Sequence, residues 1–106
     1  MKRLALALTL AAVFAGPAAA ADLVMPTLTV TNPTAGIVDL AWAHLPPSSY
    51  VILWQCDPVH GCLDTIRPNT GNTEIDNVSA GEHGYQVCVP ANPQDVCTPT
   101  VWMATQ

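Results

Sequence analysis

Val38-Asp39-Leu40-Ala41-Trp42, then Pro46-Pro47, then Tyr50-Val51-Ile52-Leu53-Trp54, and further on Tyr85-Gln86-Val87-Cys88-Val89: these runs, set apart by turn residues, decide the fold. Apolar positions two apart are the period of a strand that shows one face to a core. Leu28-Thr29-Val30 precedes these runs, and Ile75 with Val78 falls between them. The breaks come regularly. Asn32 to Gly36, His44 to Ser49, Asp57 to Gly61, Pro68 to Asn72, Ser79 to Gly84 and Pro90 to Asp95 each concentrate Gly, Pro, Asn, Asp or Ser. Helical periodicity is absent from residue 22 onward. The pattern predicts an all-β, two-sheet antiparallel β-sandwich of about seven strands, near 27–31, 36–43, 50–56, 62–67, 72–78, 84–89 and 98–105.

Alternation also assigns faces. Leu28, Val30, Val38, Leu40, Trp42, Tyr50, Ile52, Trp54, Ile75, Tyr85, Val87 and Val89 fall in one phase and are expected to point inward, with Trp42 and Trp54 dominating the core. Asp39, Glu74, Asp76 and Gln86 fall in the other, as solvent-facing residues should. The same phase turns Val51 and Leu53 outward.

From Pro26 to Thr105 the chain resembles a fibronectin type III domain, an immunoglobulin-like sandwich. The resemblance lies in Trp42 closing the second strand after Val38 and Leu40, the following Pro46-Pro47, Tyr50-x-Ile52-x-Trp54 in the third strand, and Tyr85-x-Val87-x-Val89 in the sixth. It implies a corner at Tyr85 whose hydroxyl bonds to backbone just upstream. Ala80 stands where the family usually has proline, and the Val78 to Tyr85 spacing is about one residue long. The resemblance speaks to fold and hardly to function.

The first 21 residues carry Lys2 and Arg3, an apolar stretch from Leu4 to Phe14, Gly16-Pro17 and an alanine run, the layout of a secretory signal peptide cleaved after Ala20 or Ala21. The apolar stretch is shorter than the roughly 20 residues a membrane span requires. Residues 22–106 are thus expected to form one secreted or periplasmic domain, with no membrane anchor after cleavage. Its size is near the lower limit for a single core. Loss of Lys2 and Arg3 takes the formal net charge from −5 to −7 and leaves Arg67 as the sole Lys or Arg. Such a surface repels phosphate backbones, which excludes nucleic acid as a partner and favours a neutral or basic protein.

Cys56, Cys62, Cys88 and Cys97 all lie in the exported part, an even number in a small chain, and so read as two disulfides. Cys56 and Cys62 flank one expected hairpin and Cys88 and Cys97 another, which predicts hairpin-local pairing. A redox role would favour Cys-x-x-Cys, which is absent. If Cys88 pairs with Cys97, phase turns Val101 and Met103 outward and Trp102 inward, whereas a bulge near Pro99 would expose Trp102 instead. Either way the outer face of the sheet of the third, sixth and seventh strands is the expected protein-binding surface, with Val51, Leu53, Val101, Trp102 and Met103 as its candidate residues.

Other chemistry is sparsely represented. Asp57, His60 and Asp64 near two cysteines, with Glu82-His83 in another turn, are the candidates for copper or zinc, yet no two histidines have ligand spacing. Ser48, Ser49 and Ser79 lie in turns without a Gly-x-Ser-x-Gly elbow, and Asn77-Val78-Ser79 matches a glycosylation acceptor only by pattern. No catalytic residues, metal ligands or cofactor are assigned. The expectation is a non-enzymatic protein-binding module, with a small envelope metal-binding or redox protein, or a carbohydrate-associated accessory module, as alternatives.

Overall fold

The computed structural model describes residues 24–106, so the expected signal segment, residues 1–21, lies outside the described residues. Among the described residues eight strands form: β1 (Thr27–Thr34), β2 (Ile37–Ala43), β3 (Tyr50–Asp57), β4 (Gly61–Pro68), β5 (Asn72–Ile75), β6 (Gly81–Val89), β7 (Val96–Cys97) and β8 (Val101–Thr105). They pack as two antiparallel sheets, one in the order β1-β2-β5, the other β4-β3-β6 with β7 and β8 following one another along the free side of β6. The fold class is the sandwich that the spacing predicts. The last expected strand, 98–105, begins only at Val101 and is preceded by the two-residue β7, and the irregularity between them sets the surface chemistry described below.

Between the sheets lie Val30, Val38, Leu40, Trp42, Val51, Leu53, Ile75, Val78, Tyr85, Val87 and Val89. Trp42 brings an indole N–H that needs a partner once buried. Asn69 supplies it, accepting from Trp42 Nε1 at 2.9 Å while its own amide donates to Ser48 O at 2.9 Å. One asparagine thus ties the core tryptophan to the loop between β2 and β3.

The third strand corrects the expected phase. Val51 and Leu53 are buried (0% and 2% exposed), whereas Tyr50, Ile52 and Trp54 lie on the outer face. Five consecutive apolar residues satisfy either phase, so alternation within β3 cannot choose between them. The register with β6 chooses: Leu53 stands opposite Val87, and Trp54 opposite Gln86. The shorter side chains fit between the sheets, and the larger indole stays outside.

Tyr85 is fully buried, as predicted, yet its hydroxyl has no hydrogen-bond partner among the described residues. The corner bond that the family resemblance implies is therefore not made. Burial holds the phenol above its ordinary pKa.

Candidate functional site

Outward side chains of the five-stranded sheet fall into rungs that the register fixes. Ile66, Ile52 and Cys88 form one rung, Asp64, Trp54 and Gln86 the next, and Cys62, Cys56, Gly84 and Trp102 the third. Glu82, opposite Ala104, follows. Both disulfides belong to this face. Cys56–Cys62 and Cys88–Cys97 each join residues directly opposite on neighbouring strands, with Cα atoms 4.0 Å apart. Hairpin-local pairing is thus what the fold holds. Chain geometry prepares the first bridge: Asp57 Oδ1 accepts from the backbone N–H of Val59 and His60 at 2.8 and 2.6 Å, and Gly61 takes φ 82° to re-enter β4. Those N–H donors also hold the Asp57 carboxyl below its ordinary pKa.

Trp102 reaches this face because of a bulge. Cys88 pairs with Cys97 and Tyr85 with Val101, so three residues, Thr98 to Thr100, span what two cover on β6. Thr98 closes the irregularity: its N–H donates to Val87 O at 2.9 Å, and its hydroxyl accepts from Val87 N–H at 3.1 Å. Past the bulge the phase is reversed. Val101 and Met103 pack partly buried against the core, and Trp102 is 50% exposed. This corrects the expectation from simple alternation and realises the bulged alternative. Of the five residues expected on the binding face, only Trp102 is there.

The Trp102 ring lies against the sheet over Gly84, where a Cβ would stand 2.7 Å from its Cε2. Glycine's missing side chain lets the indole cover the β6 backbone with one face and leave the other open. With Trp54, Gln86, Thr100 and the Cys56–Cys62 bridge, Trp102 lines an open depression of about 390 Å³. Gln86 is held in place by its amide donating to Thr98 O at 3.1 Å. Tyr50 and Ile66, the latter 71% exposed, extend the apolar surface along the same face. Alternation alone places Trp54, Tyr50 and Ile52 in the core, and the structure puts them outside. Ile66 is not singled out by alternation; its signal in the sequence is its place two residues from Asp64 on a hairpin strand.

The candidate metal residues are not brought together as ligands. His83 is buried with Nε2 2.8 Å from Ser79 O, while exposed His60 pairs with Asp57 at 3.2 Å. Among the described residues no three His, Cys, Asp or Glu side chains converge. The outer face of the three-stranded sheet is polar and acidic instead. Asp39 stands opposite Glu74, and a hydrogen bond and like charge from Asp76, reinforced by Asp39, raise the Glu74 carboxyl above its ordinary pKa.

No protein-family model matches the chain, and no curated protein matches it. What the residues define is a disulfide-braced β-sandwich with one aromatic and one acidic outer face. Two disulfides in so small a domain are typical of oxidising compartments.

Proposed function

We propose that this chain is a secreted or periplasmic, non-enzymatic binding module of fibronectin type III-like build, which engages a protein through the outer face of its five-stranded sheet. The grouping of β1, β2 and β5 against β4, β3, β6, β7 and β8 supports the family likeness. The signal-like first 21 residues and the two disulfides support export. The observation that carries the binding reading is Trp102, held half-exposed over Gly84 in a depression shared with Trp54, with Ile66 and Tyr50 further along the same face. Contiguous aromatic and aliphatic area of this kind on a rigid sheet is the usual anchor of a protein interface.

The test is capture from an envelope extract of the source cell. The oxidised exported chain, immobilised, is expected to retain a specific protein that the Ile66→Glu and Trp102→Ser variants, with unfolding curves like the parent's, do not retain. Equal retention by variants and parent removes this face from the reading, and no retention by the parent removes protein binding. The exposure of Trp102 also favours a second reading, a carbohydrate-associated module that stacks a sugar ring on the open indole face. Retention on an insoluble polysaccharide, lost in Trp102→Ser, would select it.

A further inference from the structure

We propose that the partner of the outer face presents an arginine-bearing basic segment, and that its guanidinium stacks on the open face of the Trp102 indole in the depression shared with Trp54. The inference rests on the binding reading above and gives the chemistry of its partner. The argument is charge complementarity at an aromatic surface. Asp64 stands directly opposite Trp54 in the β3–β4 register. Glu82 lies two residues from Gly84 on β6, on the same face, and so is the diagonal neighbour of Trp102. Each tryptophan is thereby furnished with an exposed carboxylate.

No cation answers them on this face. Arg67 is the only Lys or Arg among the described residues, and its Nη1 donates to Thr73 Oγ1 at 2.9 Å on the other sheet. A planar, weakly hydrated cation is the group that such a site would stabilise in two ways, through the indole quadrupole and through the carboxylates. A second copy of the chain fits poorly as occupant. Two such faces would bring carboxylates together without a cation, in a chain whose exported part carries a net charge of −7 after loss of Lys2 and Arg3 from the −5 of the whole. A neutral glycan would use the indole and leave the carboxylates without a charge partner.

The probe is the peptide acetyl-Gly-Arg-Gly-Arg-Gly-amide, titrated into the oxidised exported chain while the indole N–H resonances are followed. Its citrulline counterpart, of the same shape without charge, and cellohexaose are titrated in parallel. The expected result is a saturable shift of the Trp54 and Trp102 resonances but not that of Trp42. Affinity should fall about tenfold with citrulline, with Trp102→Ala, and with the fold-preserving pair Asp64→Asn, Glu82→Gln. It should weaken further as salt rises from low to physiological concentration. Equal binding of both peptides, or no shift by the arginine peptide at millimolar concentration, overturns the proposal. Shifts produced by cellohexaose alone overturn it in favour of a glycan. Extract capture that depends on Ile66 and Trp102, together with failure of the arginine peptide, would leave the binding reading standing and this inference refuted.

Discussion

The Trp102 indole and the Gly84 backbone are packed so closely that Cε2, Cδ2 and Cζ2 of the ring would lie 2.7 to 2.9 Å from a Cβ at position 84. Gly84→Ala must therefore lift the ring from the sheet. The variant is expected to fold, to lose about 1 to 2 kcal/mol of stability, and to expose Trp102 on both faces. Urea unfolding reads the first effect and increased quenching of tryptophan fluorescence by acrylamide the second.

Leu53 and Ile66 look alike in composition and differ in consequence. Leu53→Ala opens a cavity between the sheets and is expected to cost about 2 to 5 kcal/mol. Ile66→Ala, on the exposed outer face, should change stability by no more than about 0.5 kcal/mol. The Leu53 cost, measured in urea on the oxidised protein with the exposed Ile66 on β4 as the reference, tests the phase of β3. A Leu53→Ala cost as small as that of Ile66→Ala would mean that Leu53 faces outward and the phase is wrong.

Tyr85 offers a test of sign. Its buried hydroxyl has no partner among the described residues, so Tyr85→Phe removes an unsatisfied group and is expected to stabilise by about 1 kcal/mol at neutral pH. A bonded tyrosine corner would give the opposite sign. Because burial raises the folded-state pKa above the usual value of about 10, the wild type holds its stability below that pH and loses it as pH rises through the raised value. The phenylalanine variant should gain on the wild type above about pH 10, read from thermal unfolding at stepped alkaline pH.

The two disulfides close loops with sequence separations of 6 and 9. On loop entropy each contributes about 2 to 3 kcal/mol, a large share for a domain of this size. Paired Cys→Ser variants of either bridge are expected to lower the denaturation midpoint by comparable amounts. Reduction of the parent should lower it by more than either alone.

On the acidic face, Glu74 stands opposite Asp39 and close to Asp76, which raises its pKa. A raised carboxyl favours the protonated form in the folded state, so the stability linked to it is present at low pH and lost as pH rises past the raised value. Glu74→Gln is thus expected to raise the melting temperature at pH 7 and low salt. The gain should shrink in high salt and vanish near pH 3, where Glu74 is already neutral.

Much of the fold was legible because most strands carry one apolar phase only. Val38, Leu40 and Trp42 alternate with Asp39, and Tyr85, Val87 and Val89 alternate with Gln86, so β2 and β6 could point in one direction alone. The site was legible only in part. In β3 both phases are apolar, and what decides between them is pairing with β6, a long-range relation that no local window contains. In β8 the decision rests on an extra residue near Thr98, which spacing names as an alternative but cannot select. The same two strands supply Trp54 and Trp102, so the residues hardest to orient from sequence are those that make the outer face.

Thr98 keeps the count of positions along this edge of the sheet. Three residues cross where two would keep step, and Thr98 lends backbone and hydroxyl to Val87 to hold that excess. The same chain laid against β6 residue for residue from Cys97, without that excess, would set Val101 opposite Gly84 and Trp102 opposite His83, sending an indole inward and turning a valine and a methionine to water. What this protein shows to its surroundings is set there by parity, and the loss of one bulge, with no change of sequence, would exchange one surface for another.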